Sequence, residues 1–215
     1  MKNSRQFVQL KFLLIASIAI LSSCKKDKTT TTTSIINATL PAPISNIVSQ
    51  SMIDSLKAAG ADIHEGTTPP ILNGIFLMHP DSCIYDNSPG HFTGQLFDDY
   101  KFRFSGQNNS LYTITVEQKN VVSGILNSTP VKSYISGSGN DFSVFLLRTI
   151  TPSGIVVQQF NVLSGTIVAT GIQNFKNTLY IRSKQGDPTN IIAPAGTVRV
   201  FVTGAPGIAT TSGSF

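Results

Sequence analysis

The chain has 215 residues, a formal charge of +5, 40% hydrophobic residues and no tryptophan. Six of its 16 basic residues precede position 29, and beyond that point ten basic residues balance ten acidic ones. The absence of a basic stripe argues against a nucleic-acid partner, and two cysteines, Cys24 and Cys83, leave no disulfide framework.

Lys2, Arg5 and Lys11 flank an apolar run from Phe12 to Leu21, which ends at Ser22-Ser23-Cys24-Lys25-Lys26. A membrane span needs about 20 apolar residues, so this shorter run has the layout of an export leader. Leu21-Ser22-Ser23-Cys24 resembles the lipobox of bacterial lipoprotein signal peptides. That resemblance implies a signal peptide over 1–23 and lipidation of Cys24, through a diacylglycerol thioether and an amide-linked acyl chain such as palmitate. The competing readings are an ordinary secretory leader with an incidental cysteine and an uncleaved signal anchor, and the polar residues after Leu21 disfavour the latter. Each buried acyl CH₂ contributes about 0.8 kcal/mol, so several chains give a firm membrane anchor. With Cys24 acylated, Cys83 is the one remaining thiol.

Residues 24–44 read as a tether, because Lys25-Lys26-Asp27-Lys28 and the run Thr29 to Thr33 cannot form a core. The charged residues beside the cysteine resemble the surface-export signals of Bacteroidota lipoproteins. The expected location is therefore the cell outer membrane, either surface-exposed or facing the periplasm. Residues 45–70 hold a short amphipathic helix and a linker: Val48, Met52, Leu56 and Ala59 recur at helical spacing, Ser45 or Asn46 can cap the start, and Gly60 ends it.

Residues 71–205 read almost wholly as strand. Tyr100, Phe102 and Phe104 alternate with polar residues, as do Tyr112, Ile114 and Val116, and Val198, Val200 and Val202. Turn signals at 106–109, Lys119-Asn120, 137–140, 152–154, Gln173-Asn174 and 186–188 separate roughly eight to ten strands, with no helical stretch for a parallel crossover. Both faces of 141–150 are apolar, which suits a strand whose second face meets a cavity, a covering helix or a second chain. Residues 206–215 read as a tail.

The fold class is all-β, a single antiparallel up-and-down barrel preceded by one short helix, with a β-sandwich as the alternative. The lipobox, the entry Pro69-Pro70-Ile71-Leu72-Asn73-Gly74-Ile75-Phe76, the segments Phe102-Arg103-Phe104-Ser105-Gly106-Gln107 and Gly139-Asn140-Asp141-Phe142, and Ser164-Gly165-Thr166 together resemble a group of Bacteroidota lipoproteins with lipocalin-like barrels. The resemblance covers most of 45–205 and brings no activity with it.

His79, Asp81, Cys83, Asp86 and His91 form a polar cluster, but one cysteine among turn residues is a poor metal set, and no metal or cofactor is expected. Cys83 reads as a small buried hydrophobe on a short strand. Asp98 and Asp99 are adjacent on an extended chain and point to opposite faces, so they cannot flank a substrate bond as a pair. A small envelope hydrolase would have to use Asp81, His91, Asp98 or Asp99. The aromatic surplus, 13 Phe and 5 Tyr, suggests instead a ligand pocket lined by Phe97, Phe145, Tyr180 and Phe201, with Arg103 or Arg182 holding a polar end. The expected function is a non-catalytic, lipid-anchored envelope protein that binds a small apolar, lipid or glycan ligand. A structural or protein-interaction domain that contacts other envelope proteins is the main alternative.

Overall fold

A computed structural model describes residues 39–126 and 133–215; the leader, Cys24 and the threonine run lie outside the described residues. Helix α1 (Ala42–Ser45) begins inside the stretch expected to be tether, and α2 (Gln50–Ala58) follows it. Ser49, rather than Ser45 or Asn46, caps α2: its backbone is extended and its hydroxyl accepts from the Met52 N–H at 3.3 Å. Gly60 ends the helix with φ +98°, a left-handed conformation that suits glycine.

Twelve strands follow among the described residues, and every pairing except the parallel one of β1 with β7 is antiparallel. They are β1 (Thr67–Thr68), β2 (Gly74–Met78), β3 (Asp81–Asp86), β4 (Leu96–Phe97), β5 (Tyr100–Asn108) and β6 (Thr113–Asn120). After residues 127–132 come β7 (Ser133–Ser138), β8 (Asp141–Ile150), β9 (Val156–Val168), β10 (Gly171–Gln185), β11 (Val198–Thr203) and β12 (Ile208–Thr211). The hydrogen-bonded order is β12-β2-β5-β6-β7-β8-β9-β10-β11-β3-β4, and β12 also pairs with β10. That second pairing turns the sheet into a ring.

The ring is a meander with interrupted members rather than a smooth barrel. β2 and β3 lie in one line, broken at Pro80, whose missing N–H cannot join the ladder. Their partner run β4–β5 keeps one register across the break, with Asp81 opposite Phe97 and Met78 opposite Tyr100. β11 and β12 are likewise one run broken at 204–207, pairing with successive parts of β10. The expected tail at 206–215 is corrected by this: β12 sits inside it and closes the ring, Ala209 opposite Ile172 and Thr210 opposite Leu77. Gly171 permits the closure. A Cβ there would fall 2.1 Å from the Ala209 carbonyl oxygen, and its φ is +151°.

The expected turn at Gln173-Asn174 is also corrected, because β10 continues through it as a bulge. Asn174 takes φ +53° and donates its N–H to the Gly207 carbonyl at 2.8 Å, and the register with β9 shifts between Gln173 and Lys176. The bulge lets β10 pair with β12 at its start and with β11 farther along.

Strand alternation sorts side chains to two faces. One cluster draws Phe76, Phe102, Phe104, Phe142, Leu163 and Phe175, among others, from strands all round the ring and so fills its interior. Its rings meet at steep angles, Phe102 with Phe175 at 5.2 Å and Phe104 with Phe142 at 6.2 Å. A second cluster lies outside: Phe145, Phe160, Val162, Val198 and Val200 pack beneath Ile44, Val48, Ile53 and Leu56. The doubly apolar β8 is thus accounted for by a covering helix. Burying each such aliphatic side chain contributes about 1.5–3 kcal/mol, which is what holds a nine-residue helix that would be marginal alone.

Candidate functional site

The interior changes character along the strands. On β8 the inward series Phe142, Val144, Leu146 continues to Arg148, and on β6 the series Ile114, Val116 continues to Gln118. On β9 it runs from Leu163 through Asn161 to Gln159, and β10 sets Asn177 beside Leu179. Half of the ring is therefore packed apolar core, and the other half is polar. In the polar half the side chains leave a cavity of about 730 Å³. It opens where β8 turns into β9, with Thr151 and Pro152 on one side and Ile125 and Leu126, from the segment after β6, on the other.

Phe97, Phe201, Tyr100 and Leu179 give the cavity its apolar surface. Phe97 and Phe201 meet edge to face at 5.2 Å. The polar surface centres on Arg148, a buried residue. Its Nη1 donates to Gln118 Oε1 at 2.8 Å and its Nε to Gln159 Oε1 at 3.2 Å. Both partners are neutral. Burial lowers its pKa to about 10, with nearby Tyr100 acting in the opposite direction, so it stays charged at neutral pH.

Asp81 lines the same cavity and is 2% exposed. Its Oδ1 has no partner among the described residues. Burial, and then the charge of Asp99, push its pKa up to about 7. Asn161 Nδ2 donates to Asn177 Oδ1 at 3.1 Å, while Asn161 Oδ1 is likewise buried without a partner. Asp81 thus brings a buried oxygen without a partner among the described residues to the wall of a cavity large enough for a small organic molecule.

Arg199 forms part of the wall but is committed elsewhere. Its Nε donates to Asp86 at 3.1 Å and its guanidinium lies 4.7 Å from the centre of the Phe92 ring. Burial would raise the Asp86 carboxyl, but hydrogen bonds from the Ser88 N–H and hydroxyl and from the Phe92 N–H, with the Arg199 charge, hold it below the usual range. This set pins the 87–95 loop to the strands.

Of the residues expected to line a pocket, Phe97 and Phe201 do so. The other four lie elsewhere. Arg103 is on the outer face, paired with Glu117 and 4.4 Å from the Phe215 ring centre. Phe145 is buried under α2, Tyr180 packs against that same outer cluster, and Arg182 is exposed. Sequence reasoning missed Arg148, although its spacing from Phe142, Val144 and Leu146 is the signal: a charge in phase with an inward apolar row.

The acids considered for hydrolysis are mostly engaged in local contacts. Asp98 accepts from Asn120 Nδ2 at 2.9 Å, and Asp99 Oδ2 lies 2.6 Å from His79 Nδ1. Two further acids are engaged as well: Glu65 pairs with Lys57, and Asp141 accepts from the Thr166 hydroxyl. His91 is exposed on the 87–95 loop. Cys83 is fully buried, and burial pushes its thiol pKa up, as expected of a packed small hydrophobe. Among the described residues no cluster of His, Cys, Asp and Glu has the makings of a metal site.

No family model matches the chain, no curated protein is significantly similar to it, and no solved structure matches it.

Proposed function

We propose that this protein is a lipid-anchored binding component of the cell envelope that holds a small amphiphilic ligand in the ring interior without catalysis. The observation that carries the reading is the 730 Å³ cavity, with an aromatic wall at Phe97 and Phe201 and a buried Asp81 oxygen left without a partner among the described residues. A cavity kept only as a packing defect would be small and apolar, since protein interiors close such voids. The apolar rim supports entry of an apolar molecule, because Ile125 and Leu126 line the mouth while remaining more than half exposed. The anchor at Cys24 would keep the domain beside a membrane, where such molecules concentrate. A glycan is the second ligand class, although the aromatic side chains here face inward rather than forming an exposed platform.

Native mass spectrometry of the full protein isolated from envelope membranes is the direct test. A bound small molecule in wild type that is lost in Leu179→Trp, a change that fills the cavity, is the expected result. A wild type that carries no adduct and takes up neither amphiphiles nor oligosaccharides sinks the reading.

A further inference from the structure

Among the described residues Arg148 is the one buried lysine or arginine, and four of the half-buried ones have an acidic partner. Arg199 has Asp86, Lys184 has Asp187, Arg103 has Glu117 and Lys176 has Asp62. Arg148 has none: no carboxylate among the described residues pairs with it, and residues 127–132 contain no acid in their sequence. A buried guanidinium held only by two neutral amides is costly, because nothing replaces the hydration and counter-charge it loses. Gln118 and Gln159 use two of its five N–H donors and hold its plane in place. The group borders the cavity rather than packed core.

We infer that the ligand of this cavity ends in a single negative charge, a monocarboxylate, which pairs with Arg148 while its apolar body lies against Phe97, Phe201 and Leu179. This rests on the binding reading above and names the chemistry it recognises. One charge is the match, since among the described residues Arg148 is the one cation of the wall without an acid and Asp81 offers no positive charge to a second anionic oxygen. A planar carboxylate fits the guanidinium fork. The glutamines act as positioning residues, fixing the guanidinium before the ligand arrives and so lowering the ordering cost of binding.

The test uses full-chain protein in bilayer nanodiscs, with empty nanodiscs as the blank, titrated calorimetrically with octanoate, octan-1-ol and octylammonium. Octanoate should bind wild type at least about tenfold more tightly than octanol, the scale of a hydrogen-bonded charge pair, and octylammonium should not bind. Arg148→Gln should abolish the preference for octanoate over octanol while octanol affinity holds, and Arg148→Lys should restore part of it. Equal binding of octanoate and octanol by wild type overturns the anion assignment and leaves the binding reading standing. That comparison needs no variant, so it decides the matter even if Arg148→Gln does not fold. Failure of wild type to take up any of the three overturns the anion assignment and removes support from the cavity reading together.

Discussion

Asp81 faces the cavity with one oxygen unpartnered, and its titration should be visible in stability. Its folded value of about 7 lies above the 3.8 of the unfolded chain. Between those values the unfolded state gives up a proton that the folded state keeps, so stability falls as pH rises from about 4 to about 7 and then levels off. The loss is a few kcal/mol at most, at about 1.4 kcal/mol per unit of pKa difference. Asp81→Asn should abolish this slope and melt higher than wild type at neutral pH. Thermal melts of both proteins from about pH 4 to 8 provide the check, and parallel curves would mean that Asp81 is ionised and partnered in the fold. The residue scale is also where sequence reading was least complete. Arg103 and Arg182 were the visible candidates because each sits on a strand among polar neighbours. Arg148 was harder to see because the apolar outer residues Phe145 and Leu147 interleave with its own row and blur the alternation.

At the scale of elements, α2 acts as a cover whose value lies in its buried side. Leu56 is 1% exposed beneath the sheet face, and Leu56→Ala should cost about 2–5 kcal/mol. Ser49→Ala removes the hydroxyl that satisfies the Met52 N–H and should cost about 1 kcal/mol. Urea unfolding of the two variants should rank them in that order, and equal midpoints would contradict the helix packing described. The helix and most strands were legible from periodicity, since Tyr100-Phe102-Phe104 and Val198-Val200-Val202 could scarcely serve another geometry. The cap was ambiguous for a physical reason: Ser45, Asn46 and Ser49 are all good cap residues, and packing of Ile53 and Leu56 selects the last. Gln173-Asn174 misled because bulges and turns call on the same residues with left-handed backbone.

For the molecule as a whole, the proposed membrane attachment is at Cys24, which lies outside the described residues. Among the described residues no helix is long and apolar enough to cross a membrane. If Cys24 carries the proposed lipid, Cys24→Ser should release the protein from the detergent phase and leave the N-terminal peptide without acyl mass. Equal partitioning of wild type and variant, with an unmodified wild-type N-terminus, would refute the anchor. The all-β class was legible in the sequence, but the cavity was not. Its lining comes from β3, β4, β5, β6, β8, β9, β10 and β11, and which faces look inward together depends on a closure that no single strand announces.

The seam that closes the ring joins Leu77 near its start to Thr210 near its end, with Ile172 meeting Ala209 beside it. A seam between such distant residues can form only after the intervening hairpins have brought its two sides together, which makes it a slow, high-separation contact. Until then β2 and the start of β10 present open edges, the templates on which chains pair with one another. A chain shortened before Ile208 would keep those edges permanently. It should leave a sizing column as aggregates where the full chain elutes as a single species, so the last strand serves as this protein's protection against its own copies.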